Sequence, residues 1–515
     1  MRVPAEAHAI QFGFLIDNRK CIGCHACTVA CKSEHDVPIG VNRTWVKQVE
    51  TGTFPEVRRS FHVMRCNHCA DSPCTDICPV TALFTRPDGI VDFDNDRCIG
   101  CKACMQACPY DALYIDPNTH TAAKCNFCAH RVDRGLLPAC VVACPEQAIV
   151  AGDLQEPTSA ISHLVAREPV QVRKPEKGTN PSLLYIDGDR AALDPLATGG
   201  GETRCTTTDA EDVRPLAALG VPGAQAPNDR DRARGVYDPP KNGVLWGWEV
   251  SGYLVTKAVA AGALLVPLAS LLLLGGTLTR GLLIGALIVS LVMQIATGAL
   301  LISDLERPDR FLNVLLRGNP RSWLVRGAWI LSAFGLMTTL LLLSVLLGSE
   351  GAARTLAWSV MVLTIPTAGY TAFLLAQAKG RDLWQSPLQP LHMILHAVIG
   401  GAAATLLLAA AYEGVGELSE LARMALVGGL LLDLVLVWAE IAVPHPTAAA
   451  AEAARLLHTG AFAARFWIGV IGGSVLACLL AGVAGAPLWA AVISLGVLWL
   501  RNDLWVKAPQ QVPLS

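Results

Sequence analysis

The sequence predicts two architectures in one chain: a small α+β domain built on a duplicated cysteine motif, then an all-α transmembrane bundle of about eight crossings. Three observations carry this. Sixteen of the 18 cysteines lie between Cys21 and Cys144 in four tight groups. Long apolar runs fill the chain from Trp246 onward, whereas most charged residues precede about residue 245. Between them, residues 191–245 combine Gly199-Gly200-Gly201 with prolines and charges, the composition of a linker. The expected division is therefore 1–190, 191–245 and 246–515.

Bulk properties exclude several classes. A net charge of −2 argues against nucleic acid as a partner, because phosphate binding needs a concentrated basic surface. A hydrophobic fraction of 52% and a mean hydropathy of +0.41 are too apolar for an ordinary soluble protein. Secreted disulfide scaffolds are short chains with scattered cysteines behind a signal peptide. Here the N-terminus, MRVPAEAHAIQFGF, has no basic n-region, apolar h-region or twin-arginine motif, so no signal peptide is expected. Metal ligation is the reading that remains.

In the first domain, Gly89-Ile-Val-Asp-Phe and Ala112-Leu-Tyr-Ile-Asp look like brief strands beside cysteine loops. Cys21-Ile-Gly-Cys-His-Ala-Cys returns as Cys98-Ile-Gly-Cys-Lys-Ala-Cys, which marks a duplication. The groups are Cys21, Cys24, Cys27 and Cys31; Cys66, Cys69, Cys74 and Cys78; Cys98, Cys101, Cys104 and Cys108; and Cys125, Cys128, Cys140 and Cys144. Two-residue gaps let a tight loop turn successive thiolates toward one cubane, while the fourth cysteine points to a neighbouring one. Proline follows Cys78, Cys108 and Cys144, where it ends the local turn. Structural zinc uses two Cys-x2-Cys pairs per metal and fits this pattern less well, leaving a zinc-stabilised membrane adaptor as an alternative class. Four groups of four predict four [4Fe–4S] clusters in a duplicated ferredoxin-like iron–sulfur domain. Cys205 stands alone in the linker and is expected to be a free thiol.

In the second part, apolar stretches at 249–275, 281–303, 323–348, 355–377, 390–412, 421–443, 461–483 and 485–502 mostly reach the roughly 20 residues a helix needs to cross a bilayer core of about 30 Å. The last is short and contains Pro487. Lys and Arg placement sets orientation. One side carries Arg230, Arg232, Arg234, Lys241, Arg307, Arg310, Arg317, Arg321, Lys379, Arg381, Arg455, Arg501 and Lys507; the other only Arg280, Arg354 and Arg423. This predicts a multi-pass protein of the cell (inner) membrane with its iron–sulfur domain in the cytoplasm.

The order of the groups, and Lys124-Cys-Asn-Phe-Cys-Ala-His-Arg-Val-Asp-Arg-Gly-Leu-Leu-Pro-Ala-Cys in particular, resembles the electron-transfer subunits of molybdopterin oxidoreductases such as dimethyl sulfoxide reductase and polysulfide reductase. The likeness runs through Gly152-Asp-Leu to Tyr185-Ile. It implies that Cys21, Cys24, Cys27 and Cys144 hold one cluster, and Cys125, Cys128, Cys140 and Cys31 a second. Cys66, Cys69, Cys74 and Cys108 would hold a third, and Cys98, Cys101, Cys104 and Cys78 a fourth. Farther on, Asp304-Leu-Glu-Arg-Pro-Asp-Arg-Phe-Leu-Asn-Val-Leu-Leu-Arg-Gly-Asn-Pro-Arg-Ser-Trp, Ala376-Gln-Ala-Lys-Gly-Arg-Asp-Leu-Trp and the ending Val512-Pro-Leu-Ser are similar to NrfD-like membrane subunits. That family implies a quinone-exchanging anchor without heme. Fusion of the two on one chain departs from the usual separate subunits.

Ionisable residues in crossings are costly, so each is a candidate. Glu249, Tyr253 and Lys257 share one face of the first helix, either to bind a quinone head group and pass protons or, for the charged pair, to snorkel to the interface. Asp304, Arg307 and Arg310 could bind the head group, dock the cluster domain or pair with one another. Tyr370 is placed to donate to a quinone carbonyl. Asp433 and Glu440, seven residues apart on the sixth helix, could relay protons or make packing hydrogen bonds. His392 and His396 stand one turn apart and cannot straddle a single heme, so heme is not expected. Cys478 is expected to be inert. With no dinucleotide fingerprint and no domain left for substrate chemistry, the chain reads as an oxidoreductase component. It would pass electrons between a separate catalytic subunit, molybdopterin-containing by the resemblance, and quinone; the alternative is a redox-coupled proton-translocating module.

Overall fold

The computed structural model describes residues 10–52, 55–198, 233–239, 243–276, 278–412, 416–483 and 486–515. Cys205 and most of the expected linker lie outside the described residues.

The first domain has eleven described strands: β1 Phe12–Asp17, β2 Thr44–Thr51, β3 Arg58–Arg65, β4 Leu83–Thr85, β5 Val91–Phe93, β6 Leu113–Ile115, β7 Ala122–Lys124, β8 Ile149–Asp153, β9 Val170–Gln171, β10 Leu183–Ile186 and β11 Arg234–Tyr237. The main sheet has the order β8-β1-β10-β9, with β1 antiparallel to β8 and parallel to β10. β1 is central and buried on both faces, which explains its unbroken apolar run. Leu15 packs with Ile161 and Ile186, while Phe14 and Ile16 turn toward the cysteines. A second sheet pairs β2 with β3 over their full length, and β11 joins its free edge. Residues 234–237, which composition assigns to the linker, thus form a strand. The two expected cysteine-side strands appear in the small hairpins β4–β5 and β6–β7.

The sequence repeat is also a backbone repeat. Gly23 and His25 have φ of 71° and 60°, and Gly100 and Lys102 have 68° and 60°. These left-handed residues wind the chain around the cysteines before the short helices Ala26–Glu34 and Ala103–Ala107. At Gly100 a glycine is required twice over: φ is left-handed, and a Cβ would come within 2.5 Å of the Glu306 side chain from the membrane half.

All eight apolar stretches are helical: Trp248–Leu273, Arg280–Ser303, Trp323–Leu346, Glu350–Gln377, Gln389–Ala409, Gly416–Ala442, Arg465–Gly482 and Pro487–Gln511, here the first to eighth membrane helices. The first seven are long and apolar enough to cross a membrane. The eighth runs for 25 residues, but Arg501, Asp503 and Lys507 occupy its second half, so composition supports seven crossings where the sequence predicts about eight. The seventh begins as a π-helix, Arg465–Gly472, and continues as α, Gly473–Gly482. The first and fifth helices touch where Gly262 faces Gly401; a Cβ on Gly262 would lie 1.9 Å from the Ala397 carbonyl oxygen. Such small residues let backbones approach where no hydrophobic effect drives association. The outer surface is apolar, with Ile295, Leu336, Val362, Trp438, Ile468 and Trp489 all exposed, as a lipid-facing surface requires.

Candidate functional site

The cysteines gather into four sets. Cys21, Cys24, Cys27 and Cys144 line one small cavity, and Cys78, Cys98, Cys101 and Cys104 another. The Cys31 thiol neighbours Cys125, Cys128 and Cys140, and that of Cys74 neighbours Cys66, Cys69 and Cys108. Each set takes three cysteines from one group and the last cysteine of another, the first group exchanging with the fourth and the second with the third. Cys125 also lies near Cys66, so the two middle sets adjoin.

None of the seventeen described cysteines forms a disulfide. Burial pushes the Cys27 and Cys108 thiols up to about 11 and that of Cys125 to about 12. Backbone amides of Gly100 and Ala122 donate to Cys98 Sγ at 3.4 Å, and that of Ala148 to Cys144 Sγ at 3.3 Å. Arg65 Nη1 donates to Cys140 Sγ at 3.1 Å. Four buried sulfurs around a common centre, with N–H groups aimed at them, fit an iron–sulfur group, which needs soft ligands and hydrogen bonds to sulfur.

The set Cys78, Cys98, Cys101 and Cys104 abuts the membrane half. Arg310 Nη1 donates to the Cys98 carbonyl at 3.0 Å, Asn319 Nδ2 to that of Cys78 at 3.1 Å, and Trp246 Nε1 to that of Cys101 at 3.2 Å. Lys102, on the left-handed turn after Cys101, reaches Glu306 at 3.1 Å and Asp304 at 3.6 Å. Burial pushes the Asp304 carboxyl up to about 6 against the opposing pull of Lys102. Arg307 pairs with Asp309, and its backbone amide donates to the Ile99 carbonyl at 3.2 Å. Of the roles open to Asp304, Arg307 and Arg310, docking and ion pairing are the ones observed.

The seam continues through residues whose contacts no local sequence pattern marks. Arg381 Nε donates to Gln106 Oε1 at 2.9 Å, and Arg381 Nη1 to the carbonyls of Pro509 and Val512. Gln106 Nε2 donates in turn to Gln510 Oε1 at 2.6 Å. In sequence Arg381 reads as an orientation charge within the motif at 376–384, yet it is buried and tied to oxygens from both halves.

Beneath the Asp304 loop, the first and fourth helices bury Tyr253, Lys257 and Tyr370. Lys257 Nζ donates to the Ala368 carbonyl at 2.9 Å and to Thr371 Oγ1 at 2.5 Å, and stands 4.6 Å from the centre of the Tyr370 ring. Its side chain is 1% exposed, so the snorkelling alternative fails for Lys257. Glu249, half-buried, lies near Asp304 at the mouth of this group.

A second polar group joins the fifth, sixth and eighth helices. Arg501 pairs with Asp433 and contacts His396 Nε2 at 2.6 Å and His392 Nδ1 at 2.7 Å. His392 Nδ1 lies 3.0 Å from Asp433, and its Nε2 is 3.4 Å from Glu440, which accepts from Ser386 Oγ at 2.8 Å. Asp433 and Glu440 therefore do share a face. His392, His396 and Asp433 are spaced as metal ligands would be, but the Arg501 guanidinium fills the cation position. Arg501 is buried in this group rather than flanking the membrane, so it leaves the orientation count. Its place after an unbroken apolar run makes it look like a flanking charge. Glu440 also lines a cleft of about 380 Å³ with Lys177, Lys379 and His445 at the seam. Cys478 is half-buried on the seventh helix.

Known proteins resemble two stretches of the chain. Residues 20–83 and 57–154 match 4Fe–4S dicluster domains. The first part is 47% identical over 190 residues to a tetrathionate reductase subunit from Salmonella typhimurium, covering 36% of this chain and 76% of that protein. It is 39% identical over 192 residues to a polysulfide reductase chain from Wolinella succinogenes, covering 36% of this chain and 99% of that one. Protein NrfC of Escherichia coli is 42% identical over 182 residues, 35% of this chain and 82% of that protein. Residues 239–501, just over half of the chain, match the polysulphide reductase NrfD family. The chain is therefore a multi-pass membrane member of the polysulphide reductase NrfD family that carries, on the same polypeptide, an iron–sulfur domain of the 4Fe–4S dicluster type.

Proposed function

We propose that this chain is the electron-transfer and quinone-reactive membrane subunit of a respiratory oxidoreductase. The sixteen cysteines would bind four [4Fe–4S] clusters in the sets described, and a separate catalytic subunit, molybdopterin-dependent by the resemblance, would exchange electrons with them. Residues 1–190 would form the electron-transfer domain and 246–515 the anchor. The domain would face the cytoplasm from the cell (inner) membrane. One observation carries the reading: the set Cys78, Cys98, Cys101 and Cys104 abuts the loop whose Asp304 lies near Tyr253, which is buried with Lys257 and Tyr370. A quinone held there would lie next to an electron donor or acceptor. Tyr253 and Tyr370 would hydrogen-bond its carbonyls, and Asp304 and Glu249 would exchange protons with water.

The test uses the full chain, prepared anaerobically and analysed for iron and acid-labile sulfide. Sixteen irons per chain, with cluster absorbance bleached on adding a quinol, is the expected result. Iron-replete protein that no quinol reduces and no quinone oxidises overturns the quinone assignment. Zinc in place of iron overturns the electron-transfer reading.

A second reading, redox-coupled proton translocation, is favoured by the group formed by Arg501, Asp433, His392 and Glu440, because Glu440 connects it to the seam cleft. Asp433→Asn in proteoliposomes separates the two. Unchanged quinone reduction with lost proton movement supports translocation, and unchanged proton movement removes it.

A further inference from the structure

Two fully buried cations that each directly precede a cysteine have no carboxylate partner among the described residues. Arg65 ends β3 immediately before Cys66, and Lys124 ends β7 immediately before Cys125; both are 0% exposed. Arg65 donates once, from Nη1 to Cys140 Sγ at 3.1 Å, and its guanidinium stands 4.4 Å from the centre of the Phe14 ring. Its Nε and Nη2 are buried without any hydrogen-bond partner. Around it lie the thiols of Cys27, Cys125 and Cys140. Lys124 Nζ donates to the carbonyls of Val91 and Cys125, and the thiol near it is that of Cys74. The placement is crossed: the cation before the second group faces cysteines of the fourth, and the cation before the fourth faces the second.

A lone guanidinium is costly to bury, and more so with two of its nitrogens unsatisfied. Neutral thiols do not offset that cost. Four thiolates around an iron–sulfur core carry net negative charge, and they do. Reduction adds one electron and no proton, so it makes the core more negative, and a fixed positive charge a few ångströms away stabilises the reduced form.

Resting on the iron–sulfur reading above, we propose that Arg65 is a positioning residue that raises the reduction potential of the cluster bound by Cys31, Cys125, Cys128 and Cys140. Lys124 does the same for the set Cys66, Cys69, Cys74 and Cys108. These are the two adjoining middle sets, so the paired cations make the centre of the chain of clusters the favoured resting place for an electron travelling between its ends.

The test is a potentiometric titration of the full-length protein, followed by electron paramagnetic resonance, for wild type, Arg65→Met, Arg65→Lys and Lys124→Met. Arg65→Met should keep wild-type iron and sulfide and shift one midpoint negative by at least tenfold in the one-electron equilibrium, about 59 mV. Arg65→Lys should shift the same midpoint less, and Lys124→Met should shift a different one. If Arg65→Met loses iron, Arg65→Lys with Lys124→Met decides. Wild-type iron content with every midpoint unchanged overturns the proposal while leaving the iron–sulfur reading intact. A wild-type protein without iron overturns that reading instead.

Discussion

The membrane half buries two polar groups of opposite design. Around Arg501 every charge is answered: Asp433 pairs with the guanidinium, His392 and His396 fill its other edges, and Glu440 with Ser386 closes the far end. Around Lys257 nothing is answered in kind. The amine donates to one backbone carbonyl and one hydroxyl, with two tyrosines beside it and no carboxylate paired to it among the described residues. The closed group is complete without a ligand. The open one holds its amine on a carbonyl and on Thr371, which both tyrosines also meet, and is the group proposed above to take a molecule with carbonyl oxygens. Both groups are buried, and they differ in whether the buried cation has a counter-charge.

Removing one partner from each group is the most severe way to break this contrast. Asp433→Ala leaves Arg501 buried and unpaired, and losing one partner of a buried pair costs about 3–5 kcal/mol. Lys257→Met removes a donor that has no counter-charge and fills the space with an apolar chain of similar length, so its cost should stay within about 1 kcal/mol. Thermal unfolding of the two variants in one detergent measures both. Equal losses would mean that the two groups do not differ in kind.

Ligand affinity should respond in the opposite sense. The third N–H of Lys257, beyond those given to Ala368 and Thr371, would join the tyrosines in donating to the proposed quinone. A hydrogen bond from a charged donor contributes about 1.5–3 kcal/mol, so Lys257→Met should then weaken a quinone analogue by about 10- to 100-fold. Asp433→Asn should leave that affinity unchanged. Titrating the analogue against the purified variants checks this, and a loss confined to Asp433→Asn would move the binding site to the closed group.

How much of this was legible follows from how each feature is encoded. The cysteine groups, their repeat and the apolar runs are local patterns, so the two architectures and the candidates Tyr253, Lys257, Asp433 and Glu440 could be read from spacing alone. Lys102, Gln106, Arg381 and Gln510 could not, because they matter only where distant segments meet across the seam. Arg310 and Arg381 have a role that a count of charges could not show. Counted as charges marking a membrane side, they in fact donate to carbonyls of the docked domain or of the chain end. Arg501 looked like a flanking charge because its partners His392 and Asp433 come from helices far away in sequence. The strand at 234–237 was hidden by its neighbourhood of prolines and charges.

A dependence on pH is expected at the mouth of the open group. Burial holds the Asp304 carboxyl near about 6, above its value in an unfolded chain, so the folded protein binds the extra proton. A group with a raised folded value favours folding at low pH and loses that contribution as pH rises through the folded value. The window is therefore about pH 4 to 6. Within it the wild-type chain should lose about 3 kcal/mol relative to Asp304→Asn, since the rise from 3.8 to about 6 is net of the opposing pull of Lys102 and a tenfold change in proton affinity is worth about 1.4 kcal/mol. Above pH 6 the difference should be constant. Unfolding midpoints of the two proteins across this range measure it. A flat difference from pH 4 to 7 would mean that burial does not raise the Asp304 carboxyl, and Asp304 would then be an ordinary surface acid rather than the partly buried proton carrier proposed at the mouth of the open group.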